Sequence, residues 1–162
     1  MLRTLRNLKE LKTEKCGSIE KVFDIQGTNN VEESRDIVAA ELISLTLRNL
    51  EKVKHVVFPI LKKLEIEGMD SMNMIWPDQL ISDFFGKLEK LTVSGCTNLT
   101  NIVPPNMLRT LRNLKELKIE KCGSIEEVFD IQGTNNVEES RDIAAVELIS
   151  LTLRNLEKVK YV

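Results

Sequence analysis

Across residues 111–125 the apolar side chains fall at Leu111, Leu114, Leu117, Ile119, Cys122 and Ile125, and every position between them is polar, charged or glycine. Neither a lone helix nor a lone strand gives that spacing. Steps of three suit a helical or curved approach, whereas the step of two in Leu117-x-Ile119 suits a short strand with both side chains on one face. Cys122 and Ile125 then suit a buried turn leading away. Such a unit has an apolar edge that it cannot bury alone, so copies must stack with their strands side by side.

The step of two recurs at Leu11-x-Thr13, Leu45-x-Leu47, Leu64-x-Ile66, Leu91-x-Val93 and Leu151-x-Leu153, which predicts six strands with 117–119 included. Successive strands are 34, 19, 27, 26 and 34 residues apart. The middle values fit the period of roughly 20–29 residues of leucine-rich repeats, whose pattern L-x-x-L-x-L-x-x-N/C-x-L the 111–125 stretch resembles. The step of 19 leaves room for a tight loop only, and each step of 34 carries an insertion. The predicted fold is α/β: a leucine-rich-repeat solenoid, a right-handed superhelix with parallel short strands on its concave face and loops and short helices on its convex face.

Residues 1–56 recur as 107–162 at a constant offset of 106, with five differences: Thr13/Ile119, Lys21/Glu127, Val38/Ala144, Ala40/Val146 and His55/Tyr161. Identity at solvent positions as well as core positions marks a recent in-register duplication. The chain is read as one domain over residues 1–162, about six units long. Neither end carries the polar layer that closes a solenoid, so an uncapped fragment of a longer chain is expected, with self-association through its apolar ends. Thr13 is expected at a tolerant outer edge. Residues 26–36 and their copy 132–142 are expected to form surface loops, with Asn30 capping a brief helix. Met69 and Met72 suit gaps in a curved core, and Trp76 is expected against a neighbouring turn. Asn106 is expected to cap a helix with a buried stripe of Leu108, Leu111 and Leu114.

Composition narrows the chemistry. A formal charge of −2 and a pI near 5.6 provide no general attraction for nucleic acid or anionic membrane, and no apolar run is long enough to span a bilayer. Cys16, Cys96 and Cys122 have neither a disulfide nor a zinc spacing, and reduced thiols point to a cytoplasmic address. Cys96 and Cys122 are expected close together but unbonded, each buried at a turn, as is Cys16. The single histidine, His55, has Tyr161 as its copy, which argues against a catalytic triad, and no phosphate-binding glycine loop occurs. No catalytic, cofactor or metal site is predicted, so the chain is read as a non-enzyme.

The phrases Phe58-Pro59-x-Leu61-x-x-Leu64-x-Ile66 and Leu88-x-x-Leu91-x-Val93-x-x-Cys96-x-x-Leu99, with the 106–122 stretch and Val128-Phe129-Asp130, resemble the leucine-rich-repeat region of plant intracellular nucleotide-binding disease-resistance proteins of the coiled-coil type. The resemblance implies a protein-recognition module that senses a ligand and restrains the receptor. Its implied partners are a pathogen effector, a host protein or the receptor's own nucleotide-binding domain. The alternatives are a generic repeat scaffold and a nonfunctional fragment of a duplicated receptor gene.

Alternation along each strand turns the residues between the leucines to the concave face. One column there is Lys12, Thr46, Glu65, Thr92, Lys118, Thr152, and the next is Glu14, Arg48, Glu67, Ser94, Glu120, Arg154. The charged members, Lys12, Glu14, Arg48, Glu65, Glu67, Lys118, Glu120 and Arg154, are the candidate partner contacts. Runs Glu14–Arg48–Glu67 and Glu120–Arg154 are expected to pair across strands.

Overall fold

A computed structural model describes residues 8–16, 42–53, 61–76, 85–108, 110–129 and 147–160. In chain order its elements are β1 (Glu10–Glu14), β2 (Ser44–Arg48), β3 (Lys63–Glu67), β4 (Lys90–Ser94), β5 (Asn101–Val103), the short helix α1 (Pro105–Leu108), β6 (Glu116–Glu120), β7 (Glu127–Phe129) and β8 (Ser150–Arg154). Strands therefore form at all six sites marked by the step of two. They make one parallel sheet in the order β1-β2-β3-β4-β6-β8. Leu11, Leu45, Leu64, Leu91, Leu117 and Leu151 stand in one row across it, as do Thr13, Leu47, Ile66, Val93, Ile119 and Leu153. The fold is a leucine-rich-repeat solenoid, and these two rows are its floor.

Each strand leaves the sheet through a residue of positive φ: Lys15 (54°), Asn49 (51°), Gly68 (62°), Gly95 (63°), Lys121 (56°) and Asn155 (52°). The left-handed residue bends the chain sharply and aims its amide at the last strand carbonyl of the next rung. Lys15 donates to Arg48 at 3.0 Å, and Asn49 to Glu67, Gly68 to Ser94, Gly95 to Glu120 and Lys121 to Arg154 at 2.9 Å each. Glycine and asparagine adopt this conformation readily, whereas a lysine there costs about 1–2 kcal/mol. The ladder of backbone bonds offsets that cost.

Behind the sheet, the turn positions form a further column of buried side chains, Leu50, Met69, Cys96 and Cys122. Sulfur acts there as an acceptor. The Leu50 amide donates to Met69 Sδ at 3.3 Å, and the Cys96 amide to Cys122 Sγ at 3.4 Å. Met72, Leu99, Ile125 and Val128 fill the space beyond, with Leu108, Leu111 and Leu114. Trp76 is buried, edge-on to Phe85 with ring centroids 4.8 Å apart, and its Nε1 donates to the Ile102 carbonyl at 2.6 Å.

Several expectations meet a different outcome. Asn106 does not precede its helix. It lies inside α1, which starts at Pro105 and stops at Leu108, and the chain continues to Leu114 through turns closed by Leu111 N–Met107 O and Leu114 N–Leu111 O at 2.9 Å. Proline, lacking an amide to satisfy, suits that first turn. Cys16 is exposed, unlike its copy Cys122, and sits on the first described rung, where no strand among the described residues lies on its outer side. Thr13 also lies on this rung, but its Oγ1 is enclosed and has no hydrogen-bond partner. A second sheet went unforeseen: β5 and β7 pair in parallel, Asn101 with Glu127 and Val103 with Phe129. The loops at 26–36 and 132–142, with Asn30, and the pair His55 and Tyr161 lie outside the described residues.

Candidate functional site

The side chains that alternate with the two leucine rows lie on the opposite side of the six-stranded sheet, exposed or half-buried except for the buried Thr46, and all eight candidate contacts are among them. The register sets Lys12 beside Thr46, Thr46 beside Glu65, Thr92 beside Lys118 and Lys118 beside Thr152. In the next column Glu14 lies beside Arg48, Arg48 beside Glu67, Ser94 beside Glu120 and Glu120 beside Arg154. The first residue of each strand adds a third column: Glu10, Ser44, Lys63, Lys90, Glu116 and Ser150.

Charge on this face is balanced and largely paired. Its cations are Lys12, Arg48, Lys63, Lys90, Lys118 and Arg154, and its carboxylates Glu10, Glu14, Glu65, Glu67, Glu116 and Glu120, so the two signs cancel. Arg48 Nε lies 2.9 Å from Glu67, and Arg154 Nη1 lies 3.6 Å from Glu120. Within single strands Lys12 meets Glu10 at 3.1 Å, and Lys63–Glu65 and Lys118–Glu120 close at 2.9 Å. Lys90 bridges to Glu116 across β4 and β6.

Two carboxyls feel this network most. Glu65 is held below the usual carboxylate range, first by its hydrogen bond with Lys63, against some opposition from burial. The Lys63 charge, the Thr46 hydroxyl, which donates to it at 3.2 Å, and Arg48 add to the effect. Glu120 is drawn down likewise, first by its hydrogen bond with Lys118, with burial opposing and the charges of Lys118, Arg154 and Lys121 adding.

The expected pairing of Glu14 with Arg48 does not form. Arg48 stands between Glu14 and Glu67 and commits its guanidinium to Glu67, and Glu14 has no ion pair among the described residues. Cross-strand pairing as drawn from the columns thus holds for Arg48–Glu67 and Glu120–Arg154 only. The face carries no aromatic side chain at any of its three columns. Trp76 is in the core, away from this face.

Besides the exposed Cys16, two further free thiols, Cys96 and Cys122, are buried. Hydrogen bonding with the Cys96 side chain, and then the Cys96 and Gly95 amides, lower the Cys122 thiol to about 7 against the effect of burial. Cys96 is pushed far up by the same contact and by its own burial. Both are free cysteines, adjacent and unbonded, and each thiol points to a strand-end carbonyl, Ser94 for Cys96 and Glu120 for Cys122. Their role here is to satisfy backbone amides. Among the described residues no group of three or more His, Cys, Asp or Glu side chains could hold a metal ion, and no helix is long and apolar enough to cross a membrane.

The arrangement offers a wide, polar surface built from rigid strands, with the chemistry to contact another polypeptide. Comparison with curated proteins and with solved structures finds no match. A family model described as plant disease resistance protein RPS2-like, leucine-rich repeats, matches residues 1–58 and 60–162. The chain belongs to that family and is a protein-interaction repeat module of a plant resistance protein.

Proposed function

We propose that this chain is the sensing and restraining repeat region of a plant innate immune receptor of the coiled-coil nucleotide-binding class, acting in the cytoplasm. It contributes binding and no catalysis. Its partners are a pathogen effector or host protein on one hand and the receptor's own nucleotide-binding domain on the other. The observation that carries this reading is the solvent side of the sheet, where three columns of polar side chains stand in register on six rungs of a resistance-protein repeat. With opposite charges interleaved, specificity comes from matching a pattern rather than from bulk attraction.

The test is charge reversal on this face. Arg48→Glu, Lys118→Glu and Arg154→Glu are combined in one chain, and Lys158→Glu, on the exposed turn after β8, serves as control. The proteins that each chain retains from plant cytosol are measured by quantitative mass spectrometry. The reading expects a defined set lost from the triple variant and kept by wild type and control. The same set kept by all three would overturn it.

A further inference from the structure

Two thiols meet in the core where the second copy of the duplication joins the preceding rungs. β4 lies before the copy that begins at Met107, and β6 belongs to that copy. The two strands pair in parallel as far as Ser94 and Glu120, and two residues past each stand Cys96 and Cys122. Both cysteines are buried and free. The Gly95 amide carries the register onward by donating to the Glu120 carbonyl at 2.9 Å, and the Cys96 amide donates to Cys122 Sγ at 3.4 Å. The two thiols also hydrogen-bond to each other.

That placement suits a disulfide. Adjoining strands lie about 4.8 Å apart, and a disulfide spans Cα separations of about 4.4–6.8 Å. The third thiol is out of reach. Cys16 follows β1, which the sheet order sets three rungs from β4, a separation of about 14 Å, and Leu50 and Met69 fill the turn column between. The two copies therefore differ in company. Cys122 has a thiol on the rung before it, whereas its duplicate Cys16 has none beside it among the described residues.

We infer that Cys96 and Cys122 form a peroxide-reactive dithiol, which closes to a disulfide tying the turn after β4 to the turn after β6. Cys122 is the attacking thiol, because its sulfur receives the Cys96 amide and a donor there favours the thiolate. That thiolate attacks one oxygen of hydrogen peroxide and the O–O bond breaks. The departing hydroxide takes up the proton that Cys122 released and leaves as water, and Cys122 becomes a sulfenic acid. The Cys96 sulfur then attacks the Cys122 sulfur, the S–O bond breaks, and the oxygen leaves with the Cys96 proton as a second water. Two electrons have passed from the sulfurs to the peroxide.

Burial sets the pace of this reaction. The exposed residues Thr97, Asn98 and Lys121 flank the pair, so local opening of one turn admits an oxidant as small as peroxide. In a reducing compartment the bond is transient, and exchange with a small thiol reopens it. While closed, it fixes the spacing of β4 and β6, the two strands at which the second copy joins the stack.

The experiment uses the full chain carrying Cys16→Ser, a change at an exposed position. It is treated with hydrogen peroxide in the presence of dimedone, which traps sulfenic acids, at a series of urea concentrations below the unfolding midpoint. Intact mass and peptide mapping are expected to show the loss of two hydrogens, a link between Cys96 and Cys122, reversal by dithiothreitol and no dimedone adduct. With Cys96→Ala added, the sulfenic acid has no thiol to meet, and dimedone is expected on Cys122. Dimedone or added oxygen on the Cys16→Ser chain in place of the link would overturn the proposal. So would thiols left unchanged at every urea concentration below the midpoint. The linked peptide of the Cys16→Ser chain decides the matter even where the second variant does not fold.

Discussion

The backbone amide of Cys96 donates to the sulfur of Cys122 on the next rung, 3.4 Å away, inside a core where neither residue is exposed. A buried amide that loses its only acceptor costs about 1–3 kcal/mol. Cys122→Val keeps the volume and removes the acceptor, so a loss of that size is expected in the urea unfolding free energy. Cys122→Asn restores an acceptor at the same turn and is expected to recover a good part of it. Equal stability of the valine variant and the wild type would show that the sulfur contact contributes nothing.

The acid limb of stability is expected to depend on Glu65. Its carboxyl is held low in the folded chain by Lys63, Thr46 and Arg48, so the folded form keeps its negative charge to lower pH than the unfolded form. A group depressed in this way stabilises the fold above its unfolded pKa, and the benefit fades as pH falls through the folded value. Urea midpoints measured between pH 6 and pH 3 should therefore fall more steeply for wild type than for Glu65→Gln. Parallel curves would contradict the assigned contacts.

Arg48 and Glu67 form the closer of the two arginine–glutamate pairs on the solvent face, yet their side chains are 45% and 51% exposed. Exposed pairs contribute about 0–1 kcal/mol, so Arg48→Ala should shift stability by no more than that, and less in high salt. A loss beyond about 2 kcal/mol would mean that the column is shielded from water and is not a surface open to partners.

Thr13 stands in the apolar row between strands, and its enclosed hydroxyl has no partner. The duplicate rung carries Ile119 there, fully buried. Thr13→Ile removes an unsatisfied polar atom and adds apolar contact with Leu47, which should raise stability by about 1 kcal/mol in urea unfolding. An unchanged or lower value would show that the first rung is too open to use the side chain.

The strand rows were readable in advance because two constraints coincide there. Side chains alternate with a period of two, and each leucine must meet a leucine of the adjoining rung, so Leu64, Leu91 and Leu117 announce their register in spacing alone. The solvent columns followed from the same alternation. Which neighbour an arginine chooses did not, since Glu14 and Glu67 flank Arg48 in equivalent register and side-chain placement decides between them. The sulfur contacts of Met69 and Cys122 were hidden because both residues already look like ordinary apolar filling. The β5–β7 pair had a faint signal in Ile102-Val103 and Val128-Phe129, short β-favouring runs at matching distances after their strands. Cys16 was misread because its sequence is that of a buried turn, while no strand among the described residues lies on the outer side of its rung.

Leu91 and Thr92 adjoin on the central strand β4, the first buried in the stack and the second turned to solvent between Glu65 and Lys118. The same charge placed at each, Leu91→Asp and Thr92→Asp, tests the stacked-rung geometry directly in urea unfolding followed by the fluorescence of Trp76. Thr92→Asp should keep one cooperative transition with a stability change within about 1 kcal/mol, and Leu91→Asp should have no cooperative transition left. Cooperative unfolding of Leu91→Asp, or collapse of Thr92→Asp instead, would contradict the parallel stack on which the recognition face depends.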